Sequence, residues 1–156
     1  PPEELALLVR AGTVAVLLPA ADLITRPASR PPVEALRKLG VPMAIATDHN
    51  PGTSPVESMP LVVGLACSVL DMTPEEAVAA ATINAAHALA LAQEVGSLEA
   101  GKRADLVVLD APSYLHLPYR LGVDLVSAVV AGGRLVRGGD GAEAPVHGPV
   151  EEASRP

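Results

Sequence analysis

The stretch VPMAIATDHNPGTSP, residues 41–55, joins a short apolar run to a loop of polar and turn-forming residues. Its first part, residues 41–47, predicts a strand that is buried on both faces, because it is apolar almost throughout. A second run of this kind, GTVAVLLP, occupies residues 12–19, and PPVEALRKL at residues 31–39 predicts a helix that starts at a proline and ends at Gly40. Strand, helix and strand in this order predict a βαβ unit in a parallel sheet that is covered by helices.

The loop after the second of these strands is the candidate functional site. Loops at the carboxyl ends of parallel strands carry the chemistry of such folds, and Asp48 stands at the start of this loop. A carboxylate in that position can bind a metal ion and accept a proton from metal-bound water. The plainer alternative is that Asp48 only caps the loop or the following helix, and spacing alone does not exclude it.

Helices are predicted downstream of the loop. LVVGLACSVL at residues 61–70 is apolar on nearly all sides and predicts a buried helix in which Gly64 allows close packing. The segment TPEE at residues 73–76 is a strong start signal, with a capping threonine, a proline in the first turn and a glutamate that completes a capping box. Residues 77–91 continue as helix, with a break expected near residues 82–84.

After residue 95 the sequence predicts strands that do not alternate with helices. A tight hairpin that joins the last two of these strands needs residues with positive φ, and Gly132 and Gly133 supply them. Three segments predict strands: residues 106–109, 126–130 and 134–137. The sequence therefore predicts a second, β-rich unit.

The composition excludes several classes of function. The formal net charge is −7, from 11 Lys and Arg against 18 Asp and Glu, which argues against a surface for nucleic-acid phosphates or anionic lipid. No apolar run reaches the ~18 residues that a membrane span requires. The one cysteine, Cys67, excludes an internal disulfide framework and fits a reducing compartment, so a cytoplasmic location is predicted. With no Trp and no Phe, the core has to be built from Ala, Val and Leu.

Five segments occur in an order that resembles the C-terminal part of the imidazolonepropionase family. They are TDHNPGTSP at residues 47–55, SMPLVVGLAC at 58–67, TPEEAVAAATINAA at 73–86, GSLEAGKRADLVVLD at 96–110 and LPY at 117–119. The fourth segment is shared across the metal-dependent amidohydrolase superfamily, whereas the first is much more particular to this family. The family hydrolyses the cyclic amide of 4-imidazolone-5-propanoate, a small molecule, to N-formimidoyl-L-glutamate in histidine degradation.

The resemblance implies an α/β fold, a (β/α)₈ TIM-type barrel with a small β-sandwich. Residues 1–94 would hold the last two βα units and C-terminal helices of the barrel, and residues 95–137 strands of the sandwich. Residues 138–156, which are rich in Gly, Pro, Ala and Glu, predict a disordered tail. Whether the protein is a homodimer is left open.

The resemblance also implies roles for four residues of the loop. Asp48 matches the metal ligand at the end of the eighth strand and a candidate general base, with Zn or Fe as the metal. Asn50 matches a substrate-binding position, where a primary amide both donates and accepts hydrogen bonds. Gly52 and Thr53 match positions that contact substrate, one by letting the ligand approach the backbone and one by its hydroxyl.

Other residues are expected to be structural. His49 stands where the family often has an apolar side chain, and strand alternation points it away from Asp48, so a solvated or packed histidine is expected. Arg120 and Leu121 replace the His-Phe pair of the family, and no role is assigned to them. Cys67 has no neighbouring base in the sequence, which predicts a buried structural thiol.

Two alternatives to imidazolone hydrolysis stay open. One is another amidohydrolase-superfamily enzyme, a cyclic amidase or a deaminase with the same barrel, and the other is a noncatalytic structural domain. The family's remaining metal ligands lie upstream of the matched segment, and Asp48 cannot hold a metal alone. The polypeptide by itself is therefore expected to be inactive and only partly folded, since two barrel strands leave sheet edges and apolar faces uncovered.

Overall fold

The computed structural model describes residues 2–138, which form seven helices and two separate sheets. In the first part the elements are α1 (Pro2–Arg10), β1 (Ala15–Leu17), α2 (Pro19–Thr25), α3 (Val33–Leu39), β2 (Met43–Ile45), α4 (Met59–Leu70), α5 (Pro74–Ala81) and α6 (Ile83–Ala88). In the second part they are β3 (Leu106–Leu109), α7 (His116–Tyr119), β4 (Val126–Ala131) and β5 (Arg134–Arg137). None of these helices combines the length and the apolar character that crossing a membrane requires.

The predicted parallel βαβ unit is confirmed. Strands β1 and β2 pair in parallel with Ala15 opposite Met43 and Leu17 opposite Ile45, and helices α2 and α3 lie between them in the chain. Helix α3 ends at Gly40, whose φ of 70° is the left-handed conformation that glycine adopts at little cost.

The burial expected for the two strands is confirmed for β2 and wrong for β1. All three residues of β2 are buried, whereas Val16 in the middle of β1 is 51% exposed. Successive side chains of a strand point to opposite faces, so Val16 and the buried Leu17 lie on different sides. Val16 is exposed because the residues of the described range 2–138 leave its face of β1 partly uncovered.

The helices after the loop follow their sequence signals closely. Ser58 caps α4 by accepting a hydrogen bond from the backbone N–H of Leu61, and Thr73 caps α5 in the predicted capping box with Glu76. The expected break lies at Thr82, whose φ of −122° and ψ of −96° separate α5 from α6.

Helices α4 and α7 approach each other closely at Gly64. A Cβ at this position would lie 2.1 Å from Cδ2 of Leu121 and 3.2 Å from the backbone oxygen of Leu117. The close approach that the sequence predicts for Gly64 is therefore confirmed.

Helix α6 is tied to the strand that leads to the candidate site. The side-chain amide of Asn84 donates to the carbonyl of Met43 at 2.9 Å. Pro42 and Ala46, the residues that flank β2, bond to Ala15 and Leu17 of β1, so the carbonyl of Met43 faces the edge of β2 that β1 does not occupy. Asn84 thus satisfies a backbone group that β1 cannot reach.

The core is built from small aliphatic side chains, as the composition predicts. It joins the two strands to α2, α3, α4 and α5 in one cluster. Its most buried members include Ala20, Leu36, Ile45, Val62, Ala66 and Ala77.

Three helices were not anticipated from the sequence: α1, α2 and the four-residue α7. Helix α1 packs Leu5 and Leu8 against the core, a spacing that places both on one face of a helix. Helix α2 begins with Pro19 directly after β1 and buries Pro19 and Ala20. Helices α1 and α2 are short, and the apolar residues continue from β1 past Pro19, so the sequence gives no signal for the end of β1.

The predicted β-rich unit is a three-stranded antiparallel sheet with the order β3-β4-β5. Gly132 and Gly133, with φ values of 56° and 78°, form the hairpin turn between β4 and β5. The carboxylate of Asp105 fixes this turn by accepting a hydrogen bond from the backbone N–H of Gly132 at 2.7 Å. The division of the chain at residue 94 stays a prediction, and the expected tail lies outside the described residues apart from Gly138.

Candidate functional site

The candidate site is the loop that leads from the end of β2 to the start of α4. Because β1 and β2 are parallel, this loop emerges at the carboxyl edge of their sheet. Asp48 lies near its start, with an exposed side chain and a φ of 49°. This left-handed conformation is uncommon for residues with a side chain, with aspartate among those that adopt it most readily, and hydrogen bonds of the loop stabilise it.

Asn50 is the hydrogen-bonding centre of the loop. Its Oδ1 accepts from the backbone N–H groups of Gly52 at 2.9 Å and Thr53 at 2.8 Å. Its Nδ2 donates to the carbonyl oxygen of Asp48 at 2.6 Å and lies 3.0 Å from Oγ1 of Thr53. Both ends of the amide are therefore occupied within the loop in this conformation.

Ser54 closes the loop from the opposite side. It is fully buried, and its hydroxyl donates to the carbonyl oxygen of Thr47 at 2.6 Å. Its own carbonyl accepts from the backbone N–H of Asn50 at 2.9 Å, so the two arms of the loop pair like a single antiparallel bridge. Sequence reasoning missed Ser54, because a serine in a polar loop is usually exposed and only its environment reveals it.

The four residues that the sequence singles out lie together in this loop. Asp48, Gly52 and Thr53 are exposed, and Asn50 is half-buried beneath them. Their backbone and side-chain polar groups are joined through Asn50 alone. The loop therefore presents the carboxylate of Asp48 and the exposed turn at Gly52 and Thr53 at the carboxyl edge of the sheet.

His49 faces along the loop rather than toward a cluster of ligands. Its Nε2 lies 3.5 Å from Oε1 of Glu57, and the two side chains are 49% and 81% exposed. Within residues 2–138 no group of three or more His, Cys, Asp and Glu side chains converges so that it could hold a metal ion. Asp48 is a single carboxylate donor, so the described residues do not fit a metal by themselves.

Cys67 has the environment of a structural thiol. It lies half-buried in α4, and burial raises its pKa above the ordinary value, with smaller contributions from the negative charges of Glu75 and Glu76. A raised pKa leaves little thiolate, the reactive form.

Comparison with known proteins gives close relatives that are longer than this chain. An imidazolonepropionase from Shouchella clausii is 49% identical over 137 residues, which cover 86% of this chain and 30% of that protein. One from Pseudomonas aeruginosa is 52% identical over 120 residues, with 77% and 30% covered. The chain thus spans about 30% of the length of these relatives, and the resemblance found in the motifs is confirmed.

Solved structures share the fold. An adenosine deaminase from Xanthomonas campestris with bound zinc is 26% identical, with a TM-score of 0.77, over 88% of this chain and 35% of that chain. A variant of an atrazine chlorohydrolase from Arthrobacter aurescens, complexed with zinc and atraton, is 22% identical, with a TM-score of 0.79, over 97% and 36%. The predicted fold class, part of a metal-dependent-hydrolase barrel, is confirmed.

The sequence model of the amidohydrolase family matches residues 1–136, nearly the whole chain. That match includes both strands of the parallel sheet, the loop with Asp48 and the three-stranded sheet. The chain therefore belongs to the amidohydrolase family.

Proposed function

We propose that the complete protein that carries this chain is an imidazolonepropionase, which hydrolyses the cyclic amide of 4-imidazolone-5-propanoate to N-formimidoyl-L-glutamate. The observation that carries the proposal is the identity of 45–52% to imidazolonepropionases from several bacteria. The deaminases and the chlorohydrolase among the solved structures are 22–26% identical and support only the shared fold. A cytoplasmic location and a small-molecule substrate belong to the same proposal.

In this proposal Asp48 is the catalytic carboxylate. Its exposed side chain stands at the carboxyl edge of the parallel sheet, where a substrate in a barrel would bind. Its carboxylate oxygens would accept a proton from the water that attacks the ring carbonyl. The left-handed backbone of Asp48 and the hydrogen bond from Asn50 to its carbonyl support a fixed direction for the side chain.

A metal cofactor is part of the proposal, because the related deaminase is described with bound zinc. Asp48 would be one ligand, and the remaining ligands would come from parts of the complete protein outside residues 2–138. Zinc and iron both accept carboxylate and imidazole ligands, so either ion suits this role. When bound, such an ion acts as a Lewis acid and increases the acidity of water.

Asn50, Gly52 and Thr53 are proposed to bind the substrate. The exposed turn at Gly52 and Thr53 offers open backbone and a hydroxyl at the surface of the loop. The amide of Asn50 is engaged with the loop itself, so a direct contact with substrate would replace one of its bonds to Thr53 or Asp48. Asn50 would therefore shape the binding surface as well as contact the ligand.

The test uses the protein from the complete open reading frame that encodes this chain. Loss of imidazolone ultraviolet absorbance is followed with and without a chelator, for the unmodified protein and for Asp48→Asn. Asp71→Asn is a matched control, because Asp71 is also exposed and has a similar φ of 54° but lies at the end of helix α4.

We expect turnover that the chelator abolishes and that Asp48→Asn lowers by about 100-fold or more, the usual range for a lost general base. Asp71→Asn should stay within about twofold of the unmodified protein. Absence of turnover in a folded, metal-loaded protein would refute the proposed substrate and would leave the barrel fold standing.

A further inference from the structure

The direction of a side chain depends on the two peptide planes that flank its Cα atom. For Asp48 these are the plane that carries the Thr47 carbonyl and the plane that carries the carbonyl of Asp48 itself. Both carbonyls accept a hydrogen bond from a side chain of the same loop: Ser54 Oγ donates to Thr47 at 2.6 Å, and Asn50 Nδ2 donates to Asp48 at 2.6 Å. The backbone on both sides of Asp48 is thus held.

The two donors differ in their surroundings. Asn50 is half-buried and lies among residues of the proposed binding surface, whereas Ser54 is fully buried and its hydroxyl donates to the carbonyl of Thr47. Breaking the bond from Ser54 to Thr47 is costly, because it would leave a buried hydroxyl without a partner. Ser54 is therefore the more rigid of the two supports.

The backbone of Asp48 needs such support. Its φ of 49° is sparsely populated by residues with a side chain, and a strained conformation persists only where neighbouring contacts determine it. Asp71 has a similar φ of 54° at the end of helix α4, whereas Asp48 lies in a loop whose own side chains bond the carbonyls on both sides of it.

We propose that Ser54 is a positioning residue that fixes the direction of the Asp48 carboxylate through the carbonyl of Thr47. The expected effect of Ser54 on catalysis rests on the proposed function. Its expected effect on the backbone of Asp48 rests only on the geometry of the loop. Ser54 contacts neither substrate nor reacting atoms in this scheme and acts only through the backbone before Asp48.

The test compares Ser54→Ala with Ser68→Ala in the protein from the complete open reading frame. Ser68 is the control for loss of a bond from a hydroxyl to a backbone carbonyl, because its hydroxyl donates to that of Gly64 at 3.0 Å within helix α4; unlike Ser54, it is exposed, and the urea midpoint measures the effect of that difference. Three measurements are made for each protein: the steady-state kinetics with the imidazolone, the urea midpoint of unfolding, and the rate of amide hydrogen exchange at Asn50, whose N–H donates to the backbone carbonyl of Ser54.

We expect Ser54→Ala to lower kcat at least tenfold relative to Ser68→Ala, with KM within about twofold, because a small misplacement of a catalytic group lowers the rate by up to about 100-fold. The Asn50 amide should also exchange faster than in the control. A purely structural role would lower the urea midpoint and leave kcat of the folded protein unchanged.

Equal kcat values for the two variants would overturn the inference. If the unmodified protein does not hydrolyse the imidazolone, the proposed function fails, and exchange at Asn50 together with the urea midpoint then decides the positioning role. Faster exchange in Ser54→Ala at an unchanged midpoint supports it, and equal exchange, or faster exchange with a lowered midpoint, overturns it. Should Ser54→Ala not fold, Ser54→Cys is compared in the same way, because a thiol is close in size to a hydroxyl and a weaker donor.

Discussion

Replacing Glu76 with glutamine tests the ion pair between Arg37 of helix α3 and Glu76 of helix α5. The carboxylate of Glu76 accepts from Nε of Arg37 at 2.5 Å, from Nη2 of Arg37 at 2.8 Å and from the backbone N–H of Thr73 at 2.9 Å. Glutamine keeps one oxygen for Thr73 and loses the charge that Arg37 contacts.

The loss of stability expected for Glu76→Gln follows from the partial exposure of the Glu76 side chain. Hydrogen bonds to buried charged groups contribute ~1.5–3 kcal/mol, whereas exposed ion pairs contribute less than ~1 kcal/mol. The side chain of Glu76 is 27% exposed, between these cases. We expect Glu76→Gln to lower the free energy of unfolding by about 1 kcal/mol at pH 7.

The effect should depend on pH in one direction. The pKa of Glu76 lies below its ordinary value, chiefly because Arg37 hydrogen-bonds the ionised carboxylate. A folded pKa below the unfolded one means that the stabilisation is fully present above an unfolded pKa of about 4.3 and is lost as the pH falls through the folded pKa. The difference between the unmodified protein and Glu76→Gln should therefore be largest near pH 7 and shrink below about pH 4.

The assay is urea unfolding of the complete protein at several pH values. Glu34→Gln is the control, since Glu34 pairs with Lys38 on the open surface of α3 with both side chains more than two-thirds exposed, and its midpoint should hardly move. A difference for Glu76→Gln that stays constant down to pH 3 would refute the argument, because the lost interaction would then not depend on the charge.

Two further substitutions test packing and the loop. Gly64→Val should lower the free energy of unfolding by about 2–3 kcal/mol, because the new Cβ would lie 2.1 Å from Leu121 and 3.2 Å from the backbone oxygen of Leu117; an unchanged melting temperature would show that α7 does not pack on α4. Asn50→Ala removes the acceptor for two backbone N–H groups and the donor to Asp48, so kcat/KM for the imidazolone should fall by about 10- to 100-fold. Steady-state kinetics at equal metal loading measures the second effect, and a value within about twofold of the unmodified protein would contradict the loop's role.

Elements with local signals were predictable from the sequence. The capping box at Thr73, the glycine end of α3 at Gly40 and the break at Thr82 each depend on side chains within a few positions of the boundary. The hairpin at Gly132 is of the same kind, because its turn needs positive φ values that glycine supplies. Such features could be located because the residues that cause them lie beside them in the chain.

Features that depend on distant parts of the chain were not predictable in the same way. The apolar sequence around Val16 predicts burial, but its exposure is determined by what covers that face of β1. Asn84 bonds to Met43 across 41 positions, a contact that no local pattern indicates. The family resemblance supplied the site residues, and it named Asn50 as a contact to substrate without indicating that its amide is already engaged inside the loop.

The geometry around Asp48 is determined by contacts that are short in sequence. The hydrogen bonds that hold it join residues two to seven positions apart, between Thr47 and Ser54. The two ends of the loop are fixed in turn by the buried strand β2, which includes Ile45, and by α4, where Val62 is fully buried. A loop that forms its own hydrogen bonds between two buried elements can present its carboxylate in one direction before any partner group is in place. We therefore expect the direction of Asp48 to be encoded within this segment, while catalysis requires the groups that complete the site.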